Sequence, residues 1–381
     1  MKILICPDKF KDCLPASRVA KHIRQGIEKV MPDAAIEIIP LADGGEGTVD
    51  ALVQATGGQL VEARVHNPLM RPVNSLFGIS GDGKTAFIEM AAASGLALLD
   101  ASERNPMHTT SYGTGELIRC ALDQGCREIV LGIGGSATVD GGVGMAQALG
   151  VRFTDEAGKE IEQNGGNLGK IAHINLVHLD PRVMQCKIRA ACDVTNPLTG
   201  PQGAAFVYGP QKGASSCEVK ELDHNLLHLS HLILNTLQID IANLPGGGAA
   251  GGMGAGIVAF LKGELIPGFE LVSRVTRLAE WIDWADLVIT GEGKMDAQTA
   301  FGKTPAGVAR MAIARKKPVI AFTGAMGSNP DELKKLGFDA VIPIADKPMS
   351  LTHSLKNAGT LLENAAERSF TLMLLGNELF R

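Results

Sequence analysis

No apolar run in this chain reaches the ~20 residues that a membrane-spanning helix needs, so no such helix is expected. Aromatic residues make up only 4%, and no block of Lys or Arg stands out among 36 basic and 41 acidic residues with a net charge of −5. Without stacking platforms or basic clusters, nucleic-acid binding is not expected. The seven cysteines (Cys6, Cys13, Cys120, Cys126, Cys186, Cys192 and Cys217) are odd in number and contain no C-x-x-C pair. That argues against a disulfide or zinc framework and for reduced thiols in the cytoplasm. The opening MKILICPDKF lacks the apolar core and cleavage site of a secretory leader and reads as a strand. A G-x-S-x-G elbow is also missing, which leaves a serine hydrolase without support.

Glycine is what the chain has in plenty, with 46 residues, many in tight clusters. Such clusters occur where backbone turns sharply or approaches another group closely. At 381 residues the chain exceeds one ordinary core, so two domains are expected.

Strand and helix alternate at both ends. Residues 2–6 and 36–40 are apolar runs suited to buried strands, and Ser17 is the expected cap of a helix running to Met31. The loop ADGGEGT then leads to a helix near 48–55. Residues 286–290, 318–323 and 339–344 are three more expected strands, the first followed by a Gly-rich loop, and a closing helix spans about 354–378. Two βα units at the front and three at the back predict an α/β fold with one five-stranded, doubly wound parallel sheet, formed by residues 1–69 and 285–381. Residues 70–284 break the alternation and read as an inserted, mixed α/β domain. Ligand is expected where the sheet strands end.

Gly78 to Thr85 (GISGDGKT) matches the P-loop pattern G-x-x-x-x-G-K-[ST]. A P-loop must join a strand to a helix. Here Gly81-Asp82-Gly83 lies between the alternating runs SLFGIS and TAFIEM, which predicts a hairpin turn instead. A near-miss, AQTAFGKT at 297–304, lacks the first glycine.

Two glycine stretches are better phosphate candidates. Gly132–Gly142 (GIGGSATVDGG), with Gly134, Gly135 and Ser136, follows a strand and precedes a helix, where free backbone N–H groups can cradle an anion. Gly246–Gly256 (GGGAAGGMGAG), with Gly247, Gly248, Gly251 and Gly252, leads into an apolar helix; close helix packing explains it as well. Four aspartates (Asp43, Asp140, Asp193 and Asp296) stand in glycine-flanked or loop settings. Phosphoryl transfer needs Mg²⁺ on one or two carboxylates and a base for the attacking hydroxyl. Asp193 and Asp296, at expected strand ends, are the leading pair. Asp8, Lys9 and Lys11 follow the first strand, where a lysine meets carboxylate or phosphate. His224, His228 and His231 share a helix face, which an amphipathic surface helix explains without a metal.

The motifs PDKFKD (7–12), LADGGEGT (41–48), FIEMAAASGL (87–96), TTSYGTGELI (109–118) and GIGGSATVDGG (132–142) together resemble the type I glycerate kinases. ACDVTNPLTGPQGAA (191–205), FVYGPQKGAS (206–215), GGGAAGGMGAG (246–256) and TGEGKMDAQTAFGK (290–303) extend the likeness in order across nearly the whole chain. The resemblance implies a flavodoxin-like domain carrying an inserted second domain. It also implies ATP-dependent phosphorylation of glycerate, to 2-phosphoglycerate in the bacterial branch, during glycolate, glyoxylate or sugar-acid breakdown. In such an enzyme Asp193 and Asp296 would hold Mg²⁺ or accept the hydroxyl proton. Lys11 would meet the glycerate carboxylate or the transferring phosphate, with Asp8, Asp43 and Glu46 around the substrate. The glycine stretches would hold ATP. Departures from the family pattern fall at Lys9, Asp12, Cys13, Pro15 and Val139, near the expected site. A kinase making 3-phosphoglycerate or acting on another small hydroxy acid, and a non-catalytic sensor of hydroxy acid or nucleotide, remain the alternatives. Monomer and homodimer both stay open.

Overall fold

A computed structural model describes residues 1–296, 304–327 and 330–379. The chain divides into two compact units, one of residues 1–43, 54–56 and 272–381 and one of residues 44–53 and 57–271.

The first unit is built on five strands in the order Ala340–Pro343, Val319–Met326, Leu287–Met295, Lys2–Ile5, Ala35–Ile38. Every neighbouring pair is parallel. Numbered along the chain within this unit, the order is the flavodoxin-like 2-1-3-4-5, and its direction reverses between Lys2–Ile5 and Leu287–Met295. The central strands are apolar on both faces, as a sheet covered on both sides requires. Ile3, Ile5, Leu287, Ile289, Ile320 and Phe322 form one core with Val19, Ile23 and Ile27 of the helix Ala16–Glu28 and with Leu362, Ala366 and Phe370 of the helix Leu351–Leu379. Leu4 and Val288, paired and fully buried, point to the opposite face, where the helices Leu278–Trp284 and Thr304–Ala314 pack.

Three expectations are corrected here. Ser17 lies inside the first helix; Pro15 occupies the cap position, and its fixed φ suits that place. No Gly-rich loop follows residue 290, because the strand runs on to Met295. Gly291 and Lys294 keep pairing with Phe322 and Ala325, and a side chain on Gly291 would strike the Phe322 carbonyl. The domain bounds shift: residues 44–53 and 57–69 group with the second unit, where Gln59–His66 pairs antiparallel along its whole length with Pro72–Ile79, and residues 272–284 group with the first.

The second unit carries a six-stranded sheet in the order Glu264–Ile266, Lys187–Ala191, Glu128–Gly132, Thr85–Glu89, Pro72–Ile79, Gln59–His66. The first four are mutually parallel, and Pro72–Ile79 runs antiparallel to both of its neighbours, Thr85–Glu89 and Gln59–His66. Gly78 and Ile79 pair antiparallel with Phe87 and Ala86, so GISGDGKT is a hairpin. Ser80 Oγ and the Lys84 N–H both donate to Asp82 Oδ1, closing its turn. A ribbon of Arg152–Thr154 and His173–Asn175 stands apart. The helix Ser216–Leu237 opens with a capping box between Ser215 and Glu218 and lays Leu222, Leu226, Leu229 and Ile233 into the core. On its flank, His228 Nε2 lies 2.7 Å from the Ile171 carbonyl oxygen. Among the described residues no helix is long and apolar enough to cross a membrane.

Candidate active site

In the first unit the site candidates gather where the two strands at the switch point end. The backbone leaves Lys2–Ile5 still tied to its neighbour: Cys6 N–H donates to the Ile289 carbonyl at 2.7 Å, and Asp8 N–H to that of Gly291 at 2.9 Å. Thr290 Oγ1 returns a bond to the Cys6 carbonyl at 2.9 Å. These ties hold Asp8 rigidly at the carboxyl edge. Its side chain is buried, only 8% exposed, and accepts the Lys9 N–H at 2.7 Å. Burial first, and then the charge of nearby Asp43, push the Asp8 carboxyl up to about 6, against the pull of Thr304, Lys9 and the Lys9 N–H. The buried Thr304 hydroxyl makes no well-formed hydrogen bond among the described residues. Glu292 is buried on the adjoining strand, and Asp296, just past that strand's end, pairs with Lys294 at 3.1 Å. Lys11 is exposed; its backbone and that of Phe10 pass close to Gly293. The near-miss phosphate motif 297–304 lies, except for Thr304, outside the described residues.

The second unit has its own carboxyl edge, made by the parallel strands Thr85–Glu89, Glu128–Gly132, Lys187–Ala191 and Glu264–Ile266. Gly44 crosses this edge closely: Cβ atoms built on Gly44 and Gly132 would overlap Ala191 and the Gly44 carbonyl respectively. Glu46 stands exposed on the same loop. Glu89, half-buried, accepts the Val49 N–H at 3.0 Å and is pushed up by burial, while the N–H groups of Val49, Gly47 and Thr48 hold it down. It thereby anchors the start of the helix Thr48–Ala55. Asp193 follows Lys187–Ala191 and is exposed, with Oδ1 accepting the Gly268 N–H at 2.8 Å, where the helix Gly268–Val275 begins. One of its oxygens thus serves as a cap.

Of the turn 132–142, Gly134 and Gly135 are exposed at this edge, while Ser136 to Gly142 are buried. Asp140 is an internal brace: Oδ2 accepts the Ser111 N–H and hydroxyl, both at 2.7 Å, and the Gly142 and Gly144 N–H groups also donate to its carboxylate. Burial still pushes its carboxyl up. Val139 is fully buried in the core, so that departure serves packing.

The glycines of 246–256 are buried, and packing explains them. Gly251 and Gly252 have positive φ and press on Thr138 and Gly141, while Gly248 presses on Pro197. The Gly141 N–H donates to the Gly251 carbonyl at 3.1 Å. Side chains at Gly251 or Gly256 would drive the two glycine stretches apart.

Asp8, Lys9, Lys11, Asp43 and Asp296 therefore belong to the first unit, and Glu46, Asp193 and the turn 132–142 to the second. Sequence reasoning did not single out Glu89, Glu292, Thr304 or the buried Lys212, although each lay within a motif already noted, with nothing local to mark it.

The glycerate kinase family pattern matches residues 3–374. The chain belongs to the glycerate kinase family. A glycerate kinase of Halalkalibacterium halodurans is 49% identical over 364 residues, 96% of each chain. A glycerate 2-kinase of Escherichia coli K12 is 50% identical over 358 residues, 94% of each. A solved structure assigned as glycerate kinase 2 of Salmonella typhimurium LT2 is 48% identical, with a TM-score of 0.92 and 99% of both chains covered.

Proposed function

We propose that this enzyme transfers the γ-phosphoryl group of ATP to the 2-hydroxyl of D-glycerate, giving 2-phosphoglycerate and ADP. Family membership across the chain supports the reaction class. One observation supports the assignment of roles: Asp8, buried at the switch point, with its carboxyl raised to about 6. A carboxylate poised near working pH is ionised yet basic enough to take the hydroxyl proton. In that step the glycerate oxygen loses its proton to Asp8 and bonds the γ-phosphorus, and the bond from phosphorus to the bridging oxygen breaks with its electrons leaving on ADP. Lys11 is proposed to meet the glycerate carboxylate or the transferring phosphate. Gly134 and Gly135 offer exposed backbone to the ATP phosphates.

Among the described residues no cluster of three or more His, Cys, Asp or Glu is arranged to hold a metal. Mg²⁺ takes one or two carboxylates and fills its shell with water and phosphate oxygens. Mg²⁺ would neutralise charge building on the phosphoryl oxygens. Asp193 and Asp296 are the carboxylates proposed for it, each tested by its own variant.

A coupled assay of ADP release with D-glycerate, followed by phosphorus NMR of the product, tests the proposal. Phosphate on O2 is the expected result. Phosphate on O3 would replace the regiochemistry, and ligand-dependent thermal stabilisation without turnover would replace the enzyme by a sensor.

A further inference from the structure

Lys212 is 2% exposed and sits at the end of a short turn, Pro210–Lys212, far along the chain from the glycine stretch it touches. Its Nζ donates to Ser136 Oγ and to the Thr138 carbonyl, both at 2.7 Å. Isolated buried ammonium groups are strongly disfavoured, and a lysine so enclosed keeps its place only with partners of this kind. Burial brings its pKa down to about 7, with the Asp140 charge opposing.

The turn is also held elsewhere. Thr109 Oγ1 donates to the Ala137 carbonyl at 2.8 Å, and Ala137 N–H donates to that of Ser94 at 2.9 Å. Leu96 N–H donates to the Gly135 carbonyl at 3.0 Å, and Asp140 braces the far end. Lys212 grips the turn on both sides of Ala137, immediately after the exposed pair Gly134-Gly135.

We propose that Lys212 is a positioning residue: from inside the second unit its amine fixes the Ser136–Thr138 segment and thereby sets the Gly134-Gly135 backbone in the geometry that phosphoryl transfer uses. The proposal rests on the kinase reading above. It assigns Lys212 no contact with substrate. Because the reacting groups of a phosphoryl transfer must be aligned closely, a slackened turn lowers turnover more than it lowers glycerate capture.

The full-length enzyme is compared as wild type, Lys212→Met and Ser136→Ala, with near-UV circular dichroism and thermal melts to establish folding. Two readouts are taken: kcat and KM for ATP and glycerate, and amide hydrogen exchange of a peptide covering 132–142. Lys212→Met is expected to lower kcat about tenfold or more with the glycerate KM changed less than about threefold, and to speed exchange across the turn. Ser136→Ala, which removes one acceptor, is expected to act in the same direction and more weakly. A folded Lys212→Met enzyme with unchanged kcat and exchange overturns the proposal. If that variant does not fold, unchanged kcat and exchange in Ser136→Ala overturn it instead. Wild-type enzyme without glycerate turnover would sink the kinase reading, and the exchange comparison would still decide the grip of Lys212.

Discussion

Gly251 lies directly against Thr138: a Cβ added to that glycine would overlap the Thr138 carbonyl oxygen, the same oxygen that accepts from Lys212. The contact fastens one glycine stretch onto the other, so the turn 132–142 is backed by buried backbone.

Gly251→Ala is therefore expected to be severely destabilising. Its φ of +73° lies in the left-handed region, which costs an L-residue roughly 1–2 kcal/mol. The overlap with Thr138 adds to that, because backbone on both sides leaves nothing flexible to yield. Urea unfolding measures the loss. Gly200→Ala is the comparison, since it shares a positive φ but meets nothing; it should lose only the conformational part.

Asp8→Asn should separate activity from stability. A carboxyl raised in the folded state binds its proton more tightly there than in the unfolded chain. Its contribution to stability is thus neutral below about 4, falls as pH rises through about 6, and stays unfavourable above that. Removing the charge is expected to raise stability at pH 8 by about 1–3 kcal/mol, and hardly at all at pH 4. Turnover should fall on the order of 10²-fold or more, and the acidic limb of the wild-type pH–rate profile near 6 should disappear. Melting curves at the two pH values and a pH–rate profile check both halves. An Asp8→Asn enzyme with full turnover would remove Asp8 from the role of base.

The two proposed Mg²⁺ carboxylates differ in what else they do. Asp193 also accepts from the start of a helix at Gly268, a function that asparagine retains. Asp193→Asn is expected to change stability by less than about 1 kcal/mol yet lower kcat on the order of 10²-fold. Asp296→Asn also frees Lys294 from its ion pair, and a pair whose lysine is this exposed adds little stability. Turnover measured against Mg²⁺ concentration is the check. Near wild-type rates and Mg²⁺ dependence in both variants would move the metal to other oxygens.

Glu89 offers a test of the ADGGEGT loop. Its carboxylate meets the opening N–H groups of the helix Thr48–Ala55, where the positive end of the helix dipole adds to the bond. Glu89→Ala is expected to cost about 1–2 kcal/mol and to raise the glycerate KM through the displaced Glu46. Glu89→Gln, which still accepts a hydrogen bond, should recover part of both. Thermal melts and steady-state kinetics of the two variants decide it.

Local patterns in the chain carried much of this architecture. KILI and DLVIT read as strands because their apolar residues leave no polar face, and GISGDGKT read as a hairpin because alternating runs flank it. The turn 132–142 announced itself by glycines between a strand and a helix. What misled was equally local. Glycine in TGEGK suggested a loop, whereas the neighbouring strand at Phe322 demanded close approach and kept it extended. Gly247, Gly248, Gly251 and Gly252 suggested a phosphate cradle from composition alone; the fold buries them against neighbouring backbone, which no local pattern foretold.

Sequence alone thus determined the alternation of strands and helices in the first unit, the family, and which acidic positions became candidates, because propensity, periodicity and motif are properties of neighbouring residues. Only the tertiary structure decided that Asp8 is buried beside Asp43, that Asp193 is partly a cap, and that Lys212 is enclosed against a turn more than seventy residues away. The strength of a charge or hydrogen bond depends on how much water has been removed around it and on which distant groups replace that water. Folding settles both.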